Sequence, residues 1–213
     1  MRKFFYLTSL IVILLLAQTR QAQASDDKSV VYDYDGNVIL LRRGIGLTMK
    51  SDLLIKKNDI LRTDSNGTVD IIMNQLAGIR FQTTSECLFD DIKSGSVHLT
   101  LYSGHALFNL KPMPSGGTFT LETPNAVITT NVLSQFLCNI EGEGDNAFTH
   151  IAVKRGRIAV QVKSSSAHIS LLENQAVEIR PETFIVPPRT LSEEETKALF
   201  KINSVIINTD ESL

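Results

Sequence analysis

Leu99-Thr-Leu101-Tyr-Ser-Gly104-His-Ala106-Leu-Phe108-Asn-Leu110 and Ile151-Ala-Val153-Lys-Arg-Gly156-Arg-Ile158-Ala-Val160-Gln-Val162 are one pattern written twice. Each alternates apolar and polar residues, breaks at a glycine and alternates again. Every apolar position and the glycine fall in register between the copies. Two weaker copies put asparagine in the glycine's place, Leu53-x-Ile55-Lys-Lys-Asn58-x-Ile60 and Ile169-x-Leu171-Leu-Glu-Asn174-x-Ala176. Period-two alternation of Val, Ile, Leu and Phe predicts strands with one buried face. A three-residue connection ending in Gly or Asn reads as a type I turn closed by a left-handed residue, the G1-bulge hairpin. Gly adopts that conformation freely and Asn more cheaply than other residues, which gives the exchange a physical reason. The repeated unit is therefore strand, tight turn or corner, strand, with Gly104, Gly156, Asn58 and Asn174 as its structural turn residues.

The flanking chain reads the same way. Val30 to Leu41 contains two strands that meet at Asp35-Gly36, a hairpin dipeptide. Lys111-Pro-Met-Pro-Ser-Gly-Gly117 is too rich in Pro and Gly for a strand interior. Glu141-Gly-Glu-Gly-Asp-Asn146 is a loop, so Gly142 has no special turn duty. Beyond Pro187-Pro188, Leu191 to Ile202 carries the one helix signal. There Ser192 and Glu195 form a capping box, and Leu199 and Ile202 are placed to dock on the β body. The expected architecture is all-β, an antiparallel hairpin-rich sandwich or roll with one C-terminal helix. A short β-solenoid is the alternative, since stacked copies also give repetition.

Arg2 and Lys3, the apolar run Phe4 to Ala17 and Ala22-Gln-Ala24 form a basic region, a short apolar core and a small-residue cleavage site. This predicts a signal peptide at 1–24 with cleavage after Ala24, a β domain at 25–190, and a helix and tail at 191–213. An uncleaved anchor is the alternative. Of 21 basic residues, taking away Arg2, Lys3 and Arg20 leaves 18 against 23 acidic ones, a net charge of −5. A mildly acidic exported domain without a basic run is a poor nucleic-acid binder. The mature chain has no second apolar segment long enough to span a bilayer.

Cys87 and Cys138 are the only cysteines. They share an alternation phase with Phe89 and Phe136, which points both inward. They are either a disulfide formed in an oxidising compartment or two small core residues.

In order, the succession Asn58-Asp59, Thr63-Asp64, Asn74 to Ile79, Leu101 to Phe108, Phe119-Thr-Leu-Glu-Thr-Pro124-Asn-Ala126-Val-Ile128, Gln135 to Cys138, Ile151 to Val160 and Leu171 to Gln175 resembles the FecR domain. That periplasmic family was first recognised in iron-dicitrate signalling regulators. Its run includes "L-x-x-G-x-V-x-F", "F-x-V-x-T-P-x-A-x-I", "V-x-V-x-x-G-x-V-x-V" and "L-x-x-G-Q". The match covers residues 38–180. It departs from the family at Leu133-Ser134, where Gly-Thr is usual, and at Asn58 and Asn174. The resemblance implies a stand-alone exported module, and the lack of nucleophile, metal and cofactor motifs points to a protein partner in the envelope.

Chemistry is sparse. His98, His105, His150 and His168 form neither H-x-H nor H-E-x-x-H, so they read as surface histidines, not metal ligands. Glu141, Glu143 and Asp145 fail calcium-loop spacing, because Ala152 stands where the bidentate Glu belongs. Asp90, Asp91, Glu122 and Glu173 are the carboxylates from which a glycosidase pair would be drawn. There is no nucleophile elbow, phosphate loop or dinucleotide fingerprint. The expectation is a non-catalytic interaction or sensing module without cofactor, metal or catalytic residues, working through β edges or the helix. Two further classes are weighed against it. A glycan or lipid carrier would show an open groove between sheets, and a hydrolase would show paired carboxylates in a cleft.

Overall fold

The computed structural model describes residues 28–142, 144–165, 167–181 and 187–201. The expected signal peptide at 1–24, Glu143 of the acidic loop and Ile202, expected to dock on the β body, lie outside them. Fifteen strands and one C-terminal α-helix follow in order. They are β1 (Ser29–Asp35), β2 (Val38–Arg42), β3 (Ile45–Leu47), β4 (Ile60–Thr63), β5 (Thr68–Met73), β6 (Ala77–Phe81), β7 (Glu86–Lys93) and β8 (Ser96–Leu110). Then come β9 (Thr118–Glu122), β10 (Ala126–Thr130), β11 (Ser134–Glu141), β12 (Phe148–Val162), β13 (His168–Leu172), β14 (Gln175–Ile179), β15 (Arg189–Thr190) and α1 (Glu193–Phe200).

The two strong repeats are the long strands β8 and β12, of 15 residues each, and they run straight through their glycines. Neither glycine reverses the chain; each carries its strand from one layer to the other. The first half of β8 pairs with β7 and β9 in sheet B, and its second half pairs with β6 and β11 in sheet A. In β12 the order is opposite: β11 and β14 in sheet A, then β10 and β13 in sheet B. The hairpin reading of Gly104 and Gly156 is thus corrected to the corner reading, and the geometry shows why glycine is needed. Gly104 has φ +90° and Gly156 φ +81°. A Cβ at Gly104 would lie 2.4 Å from Ser85 Cα, and one at Gly156 would lie 2.1 Å from the Leu133 carbonyl oxygen. Backbone from the neighbouring corner occupies the space a side chain would need.

The same device recurs at the Asn residues. Asn174 (φ 63°) joins β13 to β14 beside β12, donating its N–H to the Val153 carbonyl at 2.9 Å. Asn58 (φ 66°) donates to the Phe89 carbonyl at 2.8 Å, in the turn before β4. Asp35-Gly36 is a corner too, not a hairpin: β1 pairs with β5 in sheet A, whereas β2 pairs with β4 in sheet B. The crossings 35–37 and 64–67 travel together, tied by Asp64 N–H to the Asn37 carbonyl at 3.0 Å.

The chain β8–β11–β12–β10–β9 returns to β8, so the sheet closes into a barrel. This corrects both the sandwich-or-roll expectation and the solenoid alternative, while the all-β class and single C-terminal helix stand. Continuous strands that change layer join the two sheets by hydrogen bonds, which a plain sandwich lacks. The closing pair β8–β9 is parallel, against the antiparallel expectation. Parallel neighbours need a crossover, and here β8 supplies it by bending into sheet A before the Lys111–Gly117 link returns the chain to sheet B. Phe108 stacks on Phe136 at 4.7 Å between centroids, and Phe119 meets both edge-on at 5.7 and 6.5 Å. All three are fully buried and fill the barrel interior. Cys87 and Cys138 lie in this core as unbridged thiols, both fully buried. Burial pushes both thiols up, and for Cys87 nearby Asp90 and Cys138 add to the effect.

Candidate functional site

Alternation predicts that one outer face of each sheet is polar. On sheet A it is not. Reading across the strands, the pairing aligns Asp33, Asp70, Arg80, Leu107, Leu137, Ala152, Ala176 and Arg189 in one row. The middle four are apolar and the ends are charged. Helix α1 lies over this row. Leu199 is 1% exposed and packs with Leu107, Leu137, Ala152 and Ala176 as a second, smaller core. An eight-residue helix is marginal in water, so this contact sustains it; full burial of one leucine contributes about 1.5–3 kcal/mol.

A carboxylate fixes the start of the helix. Ser192 Oγ accepts the Glu195 N–H at 3.1 Å, and the Glu195 side chain accepts the Ser192 N–H at 2.5 Å, completing the capping box. The same carboxylate receives Arg189 from β15 in a two-pronged pair at 2.6 and 2.8 Å. His150 Nε2 on β12 lies 2.6 Å from its Oε1. Burial alone would push Glu195 up. Hydrogen bonds from Arg189 and Ser192, with the charge of His150, more than offset this and bring its pKa to about 2. At the far end of the row Arg80 grips Asp70 through two bonds of 2.6 Å. Lys201, just past the helix, lines a cavity of about 420 Å³ there with Asp33, Asp70 and Arg80. Outward, Phe200 is 61% exposed, with Lys154 Nζ 5.3 Å from its ring centroid.

The structure disperses the other sequence candidates. His98 sits on the outer face of sheet B with Nε2 3.1 Å from Glu122, which also receives Lys163 at 3.1 Å. Burial opposes charge on Glu122, but Lys163 and His98 outweigh it and hold the carboxyl below its usual range. Thr100 donates to Asp90 at 2.6 Å on the same face. A glycosidase acid needs a raised pKa, and Glu122 has the reverse. Glu173 lies apart, in the β13–β14 turn. Among the described residues no three His, Cys, Asp or Glu side chains gather as a metal site. The edges are short or guarded. Residues 52–55 cover half of β1, β3 and β15 have three and two residues, and Gln175 Oε1 takes the Leu172 N–H of β13 at 2.9 Å.

The sequence reading takes His150 for a surface histidine, whereas its side chain is 14% exposed beneath the helix, and it misses Arg189 and the apolar row. The signal for the row is a failure of alternation. Ala106-Leu107-Phe108, Phe136-Leu137-Cys138 and Ile151-Ala152-Val153 are each buried three in succession, which marks strands covered on both faces.

No family model matches the sequence, and no curated protein matches it. Two crystal structures of a candidate anti-sigma factor from Parabacteroides distasonis ATCC 8503, at 1.65 and 2.50 Å resolution, are similar in fold. Each superposes with a TM-score of 0.56 at 13% identity, covering 67% of this chain. This chain spans 64% of the length of theirs. At that identity the likeness is one of fold.

Proposed function

We propose that the chain is a non-catalytic, FecR-like interaction or sensing module of the cell envelope, exported to the periplasm or beyond, which meets a protein partner through the helix-bearing face of sheet A. The observation that carries this is the helix itself. It is held by one buried leucine and one carboxylate cluster, and it turns an aromatic residue, Phe200, outward beside Lys154. Exposed aromatic residues ringed by polar groups are typical anchors of protein interfaces. The fold shared with a candidate anti-sigma factor and the resemblance to the FecR domain support a regulatory role. The carrier reading has less support, because phenylalanines fill the barrel interior where a groove would run.

The test is site-specific photo-crosslinking in the native envelope. A crosslinker at position 200 is expected to yield a discrete protein adduct that Lys154→Glu weakens, while one at Thr120 on the open face of sheet B yields none. Adducts at both positions or at neither overturn the reading. Hydrolysis of a cell-wall glycan that is lost on substituting Asp90 or Glu122, with folding intact, replaces it with an enzyme.

A further inference from the structure

The hairpin of β2 and β3 overhangs the turn Lys56-Lys57-Asn58-Asp59, and a cavity of about 480 Å³ opens between them. Its walls are Ile45 and Leu47 from β3 together with Arg42, Arg43, Lys56 and Lys57. Asp59 is the one carboxylate there, and it is already spent. Its side chain is 1% exposed, Arg42 clamps it through Nε at 2.9 Å and Nη2 at 2.7 Å, and the Lys56 N–H takes a further bond at 2.8 Å. Arg42 and Asp59 cancel. Arg43, Lys56 and Lys57 make no ion pair among the described residues, and all three line this one cavity. Three uncompensated cations around one small cavity stand out in a chain whose net charge is −2.

The apolar wall is equally open. Ile45 is 68% exposed, the most exposed large apolar residue of the described chain. The cavity has the size of a small-molecule pocket. A cationic rim over an aliphatic wall complements a ligand with an anionic head and an apolar stem. Three cations match a doubly charged head better than a single carboxylate, and Arg and Lys both bind phosphate well. We propose that this cavity is a binding site for a phosphate monoester on an apolar stem, with Arg43, Lys56 and Lys57 holding the head and Ile45 and Leu47 holding the stem. The site lies on sheet B and does not depend on the helix-bearing face of sheet A, so either proposal can fail alone.

The test is calorimetric titration of the mature chain with octyl phosphate below its micelle concentration, beside inorganic phosphate and octyl glucoside. Octyl phosphate is expected to bind, more tightly than inorganic phosphate, and octyl glucoside not to bind. The triple variant Arg43→Gln, Lys56→Gln, Lys57→Gln is expected to lose at least about tenfold in affinity, the equivalent of one charge-assisted hydrogen bond. All three side chains are exposed, so an unchanged melting temperature checks the fold. Ile45→Ser is expected to narrow the gap between octyl and inorganic phosphate. Vesicles containing phosphatidic acid distinguish the source. Binding abolished by the triple variant identifies a lipid headgroup, and octyl phosphate binding without vesicle binding identifies a soluble ligand. Absence of octyl phosphate binding, or binding that the triple variant leaves unchanged, overturns the site. Equal affinity for octyl and inorganic phosphate overturns the stem.

Discussion

His98 and His150 occupy the same position in the two strong repeats, yet they end on opposite layers of the barrel. Each lies beside a glutamate: His98 by Glu122 on sheet B, His150 by Glu195 beneath the helix of sheet A. β8 passes from sheet B to sheet A, whereas β12 passes from A to B, so equivalent residues face different surroundings. The neighbouring rows make the contrast plain. On sheet B the pairing aligns His98, Thr120, Thr129, Ala159 and Ser170, small or polar and open to solvent. On sheet A the row is Leu107, Leu137, Ala152 and Ala176, and a helix covers it. The lesson is that a repeat specifies the bend and the buried side of a strand. What covers the outer side depends on residues elsewhere in the chain, here Leu199 and Glu195.

Breaking the corner should remove both faces together and have the largest effect. Gly156→Val places a β-branched side chain at φ +81° against the Leu133 carbonyl. Left-handed strain and overpacking together should cost at least about 3 kcal/mol, read as loss of the cooperative urea transition or a large fall in its midpoint. Gly116→Ala, with a similar φ of +78° but nothing within 4 Å, should cost about 1 kcal/mol. Gly142 is no neutral control, since a Cβ there would lie 2.7 Å from the Asn146 carbonyl oxygen. The solvated-loop expectation for it gives way to that close approach.

Matched truncations on the two faces come next. Leu137→Ala, under the helix, should cost about 2–4 kcal/mol, while Thr120→Ala on sheet B should stay within about 0.5 kcal/mol. Urea melts of both variants compare them directly, and equal costs would erase the distinction between the faces.

Acid should then separate the faces selectively. The pKa of Glu195 is lowered in the folded chain, so its contribution is fully present above the unfolded value of about 4.3 and is lost as pH falls toward about 2. The groups facing it are Arg189 on β15, His150 on β12 and Ser192 at the cap. In that window amide chemical shifts of residues 193–200 should move toward coil values before those of β9 and β10. Glu195→Gln should abolish the selective step, since the carboxylate held by Arg189, Ser192 and His150 is then gone, and Glu193 and Glu194 of the same turn are exposed.

Much of this fold is legible in the sequence. The alternation of Leu99, Leu101, Phe108 and their partners marks strands, and Ser192 with Glu195 marks the helix start. Barrel closure is not legible. A local turn signature cannot separate a hairpin from a corner, because both need a left-handed residue at Gly104 or Asn174, and only long-range pairing decides whether the strand reverses or crosses. The helix-covered row was within reach, since Leu107, Leu137 and Ala152 break alternation. Arg189 was not, for nothing local ties it to Glu195 and His150.

The helix is a cover laid on a barrel that folds without it. Hydrogen exchange on the chain lacking residues 191–213 tests this directly, together with binding of an apolar dye. Amides of β8, β11 and β12 are expected to keep their slow exchange while dye binding rises at the bared Leu107–Ala176 row. Fast exchange throughout those three strands would show the helix to be part of the folding core, and would contradict this.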